Sequence, residues 1–403
     1  MYAIRILARA AAVAALSAVA LPQAVLAQEL TITNARIVVG NGQVIPNGSI
    51  VVRGGRIESV AAGRPAQTAG RVIDAAGLSA MPGLIDAHRH LTFRPTPADE
   101  MQKLLEAGFT TVLSGGGPPE QQVTVRDQIE KGEINGPRII PSGNTVFLPG
   151  PGQSADSIRA EIRKLGQMGV RYTGEMLLTP VPGPTAAEMA IIAAALDEGA
   201  KQNVKVQVHA VSTSAMMAAI DAKVPLLVHL PNKDWISREQ AAKLAASNTR
   251  ILSAVGTWAP VFGVFPNSDD NKPRARDGKP WPDAITDGVG GGKEAGYAMV
   301  NARTVFDAGA KIGIGMDTTY EPRAGLAVEL RALNGVFSPA DMVKLYGPGS
   351  AAYLDMSDQI GTLEKGKLAD IVLLEGDPLE GYWNWLKART VVKAGKVVVE
   401  AKR

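Results

Sequence analysis

The chain has 403 residues, is 46% hydrophobic and 20% charged, and carries a formal net charge of +3. That length suits a large α/β barrel with an appendage rather than one small domain, and charge spread without a basic stripe speaks against a nucleic-acid partner. With no cysteine, disulfides, thiolate zinc ligands and a cysteine nucleophile are excluded, so any metal must be held by His, Asp and Glu.

Arg5 and Arg9 flank the start of an apolar, small-residue run, Ala10–Leu21, and Val25-Leu26-Ala27 places small residues before Gln28. This pattern predicts a secretory signal peptide over 1–27, cut after Ala27; the run is short of the ~20 residues a membrane span needs. The mature protein is then exported, periplasmic or secreted, near neutral, and without a stable membrane anchor. From Leu30 to Val60 the sequence reads as short strands with turn signals, Gly54-Gly55 marking a hairpin. Arg71–Ala75 adds another strand.

From Gly83 strands and helices alternate, the pattern of parallel βαβ units. Strands are predicted at 84–87, 110–114, 138–141, 170–174, 204–208, 226–228, 250–254 and 311–315. Helices are predicted between them, for example over 97–107, 156–168, 185–200 and 238–246. Eight such units predict an α/β fold, a (β/α)8 barrel over 81–355. Residues 257–292 form a long Pro-, Gly- and charge-rich connection, read either as a lid bringing Trp258 and Trp281 over the barrel mouth or as a surface insertion. Helices are expected over 322–333 and 339–345. The tail then returns to strands around Ala394-Gly395. Both ends are strand-rich, and the simple solution pairs 28–80 with 356–403 in one small β-sandwich.

The chain has four histidines. His88 and His90 sit in M-P-G-L-I-D-A-H-R-H-L, spaced so that on a strand both project from one face while Arg89 points away. His209 closes K-V-Q-V-H, His229 closes V-P-L-L-V-H, and Asp317 closes K-I-G-I-G-M-D. Every histidine and one aspartate therefore fall at C-terminal strand ends, where catalytic residues gather in an α/β barrel. Two imidazoles spaced in this way make half of a metal site.

The P-G-L-I-D-A-H-R-H motif, the histidines closing strands five and six, the aspartate closing strand eight and the tail G-T-L-E-K-G-K-L-A-D-I-V-L-L-E-G-D-P together resemble the amidohydrolase superfamily of metal-dependent hydrolases. The likeness runs from about Gln28 to Arg403 and is nearest to the imidazolonepropionase and Xaa-Pro dipeptidase-like branch. It implies that His88 and His90 bind the more buried of two divalent ions and that His209 and His229 bind the more exposed one. It also implies that Asp317 touches the buried ion and shuttles protons. Many members bridge the ions with a carboxylated lysine at the end of strand four. Here that strand reads V-R-Y-T-G-E-M and offers Glu175, a shorter carboxylate of the same charge, with Gly174 before it allowing close approach.

The resemblance implies a small-molecule amide as substrate, an N-acyl amino acid or dipeptide-like compound, hydrolysed by a metal-bridging hydroxide. Zinc leads among the metals, with Mn²⁺ and Co²⁺ also suited to nitrogen and oxygen ligands. Lactone, ester or organophosphate hydrolysis and hydrolytic deamination are the alternatives on the same scaffold. Arg323, in T-T-Y-E-P-R, is a candidate partner for a substrate carboxylate; Tyr172 and Trp258 are further candidate contacts. Association into a homo-oligomer is compatible with the sequence.

Overall fold

The computed structural model describes residues 29–256, 292–319 and 321–401. The expected signal peptide, most of the long connection and Trp258 and Trp281 within it lie outside the described residues. The first five strands are β1 (Leu30–Val38), β2 (Val44–Arg53), β3 (Arg56–Ala62), β4 (Arg71–Asp74) and β5 (Leu78–Pro82). Gly54 and Gly55 both have positive φ and turn the chain from β2 into β3. β15 (Ile371–Glu375), β16 (Ala388–Lys393) and β17 (Lys396–Glu400) come from the other chain end. All eight join in one mixed sheet ordered β17-β16-β15-β5-β1-β2-β3, with β4 on β1. The two chain ends meet where β15 runs antiparallel to β5, Val372 opposite Met81. One apolar layer built from both ends, including Ile32, Ile50, Ile371 and Leu373, is fully buried.

Between these ends the chain alternates. β6 (Leu84–Arg89), β7 (Phe109–Ser114) and β8 (Arg138–Ile140) form a parallel sheet, while β9 (Val146–Phe147), β10 (Tyr172–Leu177), β11 (Lys205–His209), β12 (Leu226–Val228), β13 (Arg250–Leu252) and β14 (Lys311–Gly313) form another. The helices are α1 (Pro97–Glu106), α2 (Pro119–Glu130), α3 (Ala155–Gln167), α4 (Ala186–Gln202), α5 (Thr213–Asp221), α6 (Arg238–Ala246), α7 (Gly292–Asp307), α8 (Pro322–Leu333), α9 (Pro339–Lys344) and α10 (Ser350–Tyr353). Their starts are chemically marked. Thr185 and Ser237 make reciprocal capping boxes with Glu188 and Gln240, satisfying amides that the first helical turn leaves orphaned. The faces these helices turn inward bury Val112, Met176, Val208, Leu227 and Ile251 from the strands.

The parallel ladder is thus carried in two sheets rather than one continuous ring. Both breaks are bridged by backbone hydrogen bonds. β8 stops before Pro141 and the chain pairs again only at Val146; across that gap the Gly143 amide donates to the Tyr172 carbonyl at 3.0 Å. At the other break the Ala87 amide donates to Ile314 at 2.9 Å and the Asp317 amide to His88 at 2.8 Å.

Candidate metal centre

The six side chains singled out by the sequence converge. Glu175, His209 and His229 form one group, and His88, His90, Glu175 and Asp317 another; within each, the ligand atoms lie inside 4.8 Å of one another. Glu175 belongs to both. Its Oε1 lies 3.5 Å from His90 Nε2 and 4.0 Å from His88 Nε2. Its Oε2 lies 2.8 Å from His209 Nδ1 and 3.5 Å from His229 Nε2. Asp317 reaches the first pair through Oδ1, at 3.0 Å from His90 and 3.4 Å from His88, and His229 through Oδ2 at 3.4 Å.

Backbone irregularity aims these groups. Tyr172 pairs with Lys205 but Glu175 with Gln207, so β10 spends one residue more than β11 across this stretch. Such a bulge turns the following side chain onto the other face, and it puts Glu175 on the same interior face as Tyr172. Gly174 is required there: a Cβ would stand 2.1 Å from the Asn144 carbonyl oxygen. A second shift, between Asp86 and Arg89 opposite Val112 and Ser114, lies at His88. His229 and Asp317 both adopt positive φ, 68° and 44°, a conformation that costs of order 1 kcal/mol in a non-glycine residue and clusters at functional sites.

Three residues outside the expected set hold His88. The buried Asp86 carboxylate accepts the His88 amide at 3.2 Å and the Met316 amide at 2.9 Å, tying the His88 strand to the Asp317 segment. Gly115 and Gly315 leave the imidazole its space; a Cβ would fall 2.7 Å from His88 Nε2 at the first and 2.5 Å from His88 Cβ at the second. The readable signals were an aspartate inside the histidine motif and the Gly115-Gly116-Gly117 run closing β7. Gly115→Ala is expected to displace the imidazole and weaken metal binding while the far-ultraviolet circular dichroism stays native; undiminished metal affinity would count against this role.

The residues fit divalent ions. The donors are imidazole nitrogens and carboxylate oxygens, and both His88 ring nitrogens are buried without a hydrogen bond. Buried polar atoms left so are costly unless something binds them. Burial would raise the Glu175 carboxyl, but His209, His229 and His90 outweigh it and hold it well below the usual carboxylate range. Burial likewise raises Asp317, and His229, His88 and His90 overcome it. His90 runs the other way: burial lowers it, yet Asp317 and Glu175 hold it up at about 10. Burial and the neighbouring His209 push His229 down. Negative carboxylates confined among imidazoles make a site that cations stabilise.

Two expected substrate contacts lie elsewhere. Tyr172 is at the start of β10, buried, with its hydroxyl donating to the Leu354 carbonyl at 2.9 Å and its pKa pushed up to about 12 by burial. It packs with Leu226, Leu252 and Tyr353 below the cluster rather than at the mouth. Arg323 is exposed and donates to the Glu106 carbonyl at the end of α1, which leads into the N-terminal end of β7. That places its guanidinium toward the end of the sheet opposite His88 and His90. Neither Lys164 nor Lys205 substitutes for Glu175: Lys164 pairs with Glu120 on the surface and Lys205 with Asp355.

Residues 167–399 match the model of the amidohydrolase family. The chain belongs to that family. This amidohydrolase is therefore a hydrolytic enzyme acting on carbon–nitrogen bonds, and the family together with its cluster of His, Glu and Asp points to divalent metal binding. Its sequence is similar to imidazolonepropionase of Desulfotalea psychrophila, 22% identical over 350 residues covering 76% of this chain and 78% of that protein. Among solved structures it resembles a putative prolidase from Bifidobacterium longum, with 25% identity, a TM-score of 0.78, and coverage of 94% of this chain and 97% of that one. A Xaa-Pro dipeptidase with methionine bound in its active site superposes with a TM-score of 0.75 at 19% identity, over 92% of this chain and 99% of that one. These likenesses put the amidohydrolase in the imidazolonepropionase and prolidase branch.

Proposed function

We propose that this amidohydrolase is an exported enzyme holding two divalent ions, zinc foremost, that cleaves an amide bond in an N-acyl amino acid or dipeptide-like substrate. The observation that carries the reading is the division of Glu175: one carboxylate oxygen faces His88 and His90, the other His209 and His229. A single carboxylate shared in that way is what a two-ion site needs in place of a carboxylated lysine. The same reading counts β8 and β9 as two pieces of one interrupted strand and takes the two parallel sheets as one (β/α)8 barrel. The backbone hydrogen bonds at both breaks support it, and the eight-stranded sheet built from the chain ends is then the companion β domain.

His88, His90 and Asp317 would hold one ion, His209 and His229 the other, and Glu175 both. Divalent ions bound there supply Lewis acidity toward a carbonyl oxygen and make water a nucleophile near neutral pH. The protein's own part is positioning and proton transfer. The strand ends fix the imidazoles, and Asp86 locks the His88 and Asp317 backbones together. Asp317, partly open at 13% side-chain exposure, takes the proton from the attacking water and delivers it to the departing nitrogen. Prolidase and dipeptidase relatives support an amide between amino acid-like halves.

Metal analysis of the mature protein, starting at Gln28, is expected to find about two divalent ions per chain, with hydrolysis of N-acyl amino acids or dipeptides lost on chelation and restored by zinc. Full activity with one ion per chain would overturn the two-ion reading.

A further inference from the structure

The register of the parallel strands assigns a wall to the substrate side of the site. Phe147 pairs with Leu177, Leu177 with His209, and His209 with Val228. Partners in a parallel ladder share a face, and residues two apart on one strand share it too. Leu177 is two beyond Glu175 on β10, so Phe147 and Leu177 lie on the face that carries Glu175 and His209. The alternate residues behave accordingly: Val146 and Met176 are buried against the helices. Phe147, by contrast, is 64% exposed although it is a large hydrophobe. It stands one layer beyond Glu175, toward the C-terminal end of its strand, level with His209.

Exposed large apolar side chains are common singly; of the six among the described residues, Val72 on β4, Val300 on α7 and Trp383 before β16 lie elsewhere, and the other three lie at this end of the strands. Val181 and Trp235, 69% and 54% exposed, lie on the connections that follow β10 and β12. Both connections leave the strand ends that carry the cluster. Trp235 is held edge-on to Tyr297 of α7, ring centroids 4.2 Å apart. The cluster is thus rimmed on the β9–β12 side by apolar groups, and the expected cationic contact, Arg323, is turned toward α1.

We propose that Phe147, backed by Leu177, is a specificity-determining residue that receives an apolar side chain carried by the substrate next to the scissile amide. This rests on the amide-hydrolase reading above and narrows it: substrates with a phenyl or branched aliphatic group adjoining the amide are favoured over those built on acetyl and glycyl halves alone. An apolar wall discriminates by the area it covers, and a group of that size is worth tenfold or more in kcat/KM.

The test compares metal-loaded wild type, Phe147→Ala and Phe147→Leu on N-acetylglycine, N-phenylacetylglycine and N-acetylphenylalanine, with calorimetric titration of phenylacetate and phenylalanine as products. Wild type is expected to prefer one of the two phenyl substrates over N-acetylglycine by about tenfold or more. Phe147→Ala should bring that ratio close to one, chiefly through KM, and weaken binding of the corresponding phenyl product in proportion. Phe147→Leu should keep most of the preference, which a merely structural role would not produce. A wild type without preference, or a Phe147→Ala enzyme that keeps it, overturns the assignment. If none of the amides is hydrolysed, the amide reading fails separately, and equal product affinities of wild type and Phe147→Ala then overturn the role of Phe147 on their own.

Discussion

Glu175→Lys is expected to lose metal and activity together, although lysine is the residue that many relatives of this fold carry at the corresponding strand end. Glu175 sits beyond a bulge that brings the β10 backbone against Asn144 and leaves its carboxylate 2.8 Å from His209 and 3.5 Å from His90. The backbone is set for a short arm. A carboxylated lysine carries its carboxylate farther from Cα and would run into the imidazoles. An uncarboxylated lysine is worse, since under the two-ion proposal it replaces the shared negative charge with a positive one beside two cations. At ~4 Å and an effective dielectric of ~20, each contact between like unit charges costs about 4 kcal/mol, and more against a divalent ion.

Glu175→Gln separates shape from charge. It keeps the length and one acceptor oxygen and drops the negative charge. Among the described residues the His209–His229 group has no second carboxylate of its own, Asp317 approaching only His229 of that pair, whereas Asp317 faces both His88 and His90. The glutamine variant should therefore lose the ion held by His209 and His229 first, giving about one ion per chain at zinc concentrations that saturate wild type. Stoichiometry and turnover at fixed zinc check both variants. Two ions and full turnover in Glu175→Gln would mean that Glu175 is not shared between ions.

Much of this site was legible because its chemistry coincides with pattern. Apolar runs bounded by Pro225 and His229, or by Lys311 and the glycines after it, mark strands whose ends must carry the next polar residue. Leu226–Val228 and Arg238–Ala246 fall where the sequence places them, the latter because S-x-x-Q is a readable cap. β5 escaped notice: L-S-A-M-P has no alternation, being buried along most of its length between β1 and β15. Tyr172 and Arg323, candidate substrate contacts in the sequence, are placed away from the mouth for a different reason. A sequence tells which element a residue is on; whether the side chain points to the mouth or away is settled by packing. The bulge in β10 is the sharpest case. Strict alternation would put Tyr172 and Glu175 on opposite faces, and only Gly174 hints that the count is broken. Phe147 was illegible because the two-residue strand that orients it follows a kink at Pro141–Thr145 that carries no strand pattern.

Asp317→Asn is expected to keep the fold and most of the metal while turnover falls by roughly 10²-fold or more, the range for a lost general acid–base group. Asparagine is nearly isosteric and retains one oxygen toward His88 and His90. The backbone that presents it is fixed independently of the side chain: the Asp317 amide donates to the His88 carbonyl, and the adjacent Met316 amide to Asp86. Asparagine also tolerates the left-handed conformation at φ 44° better than most residues, so the variant is not expected to relieve or add strain there. What it removes, under the proposed mechanism, is the capacity to accept a proton from water and return it to the leaving nitrogen. The loss should therefore appear in kcat, with KM little altered, because binding of the ground state does not draw on proton transfer. Substrates with better leaving groups need less proton delivery, so anilides with electron-withdrawing substituents should lose less in Asp317→Asn than alkyl amides do. An equal loss across that series, or near-normal turnover with metal retained, would remove Asp317 from proton transfer and leave it as a metal ligand alone.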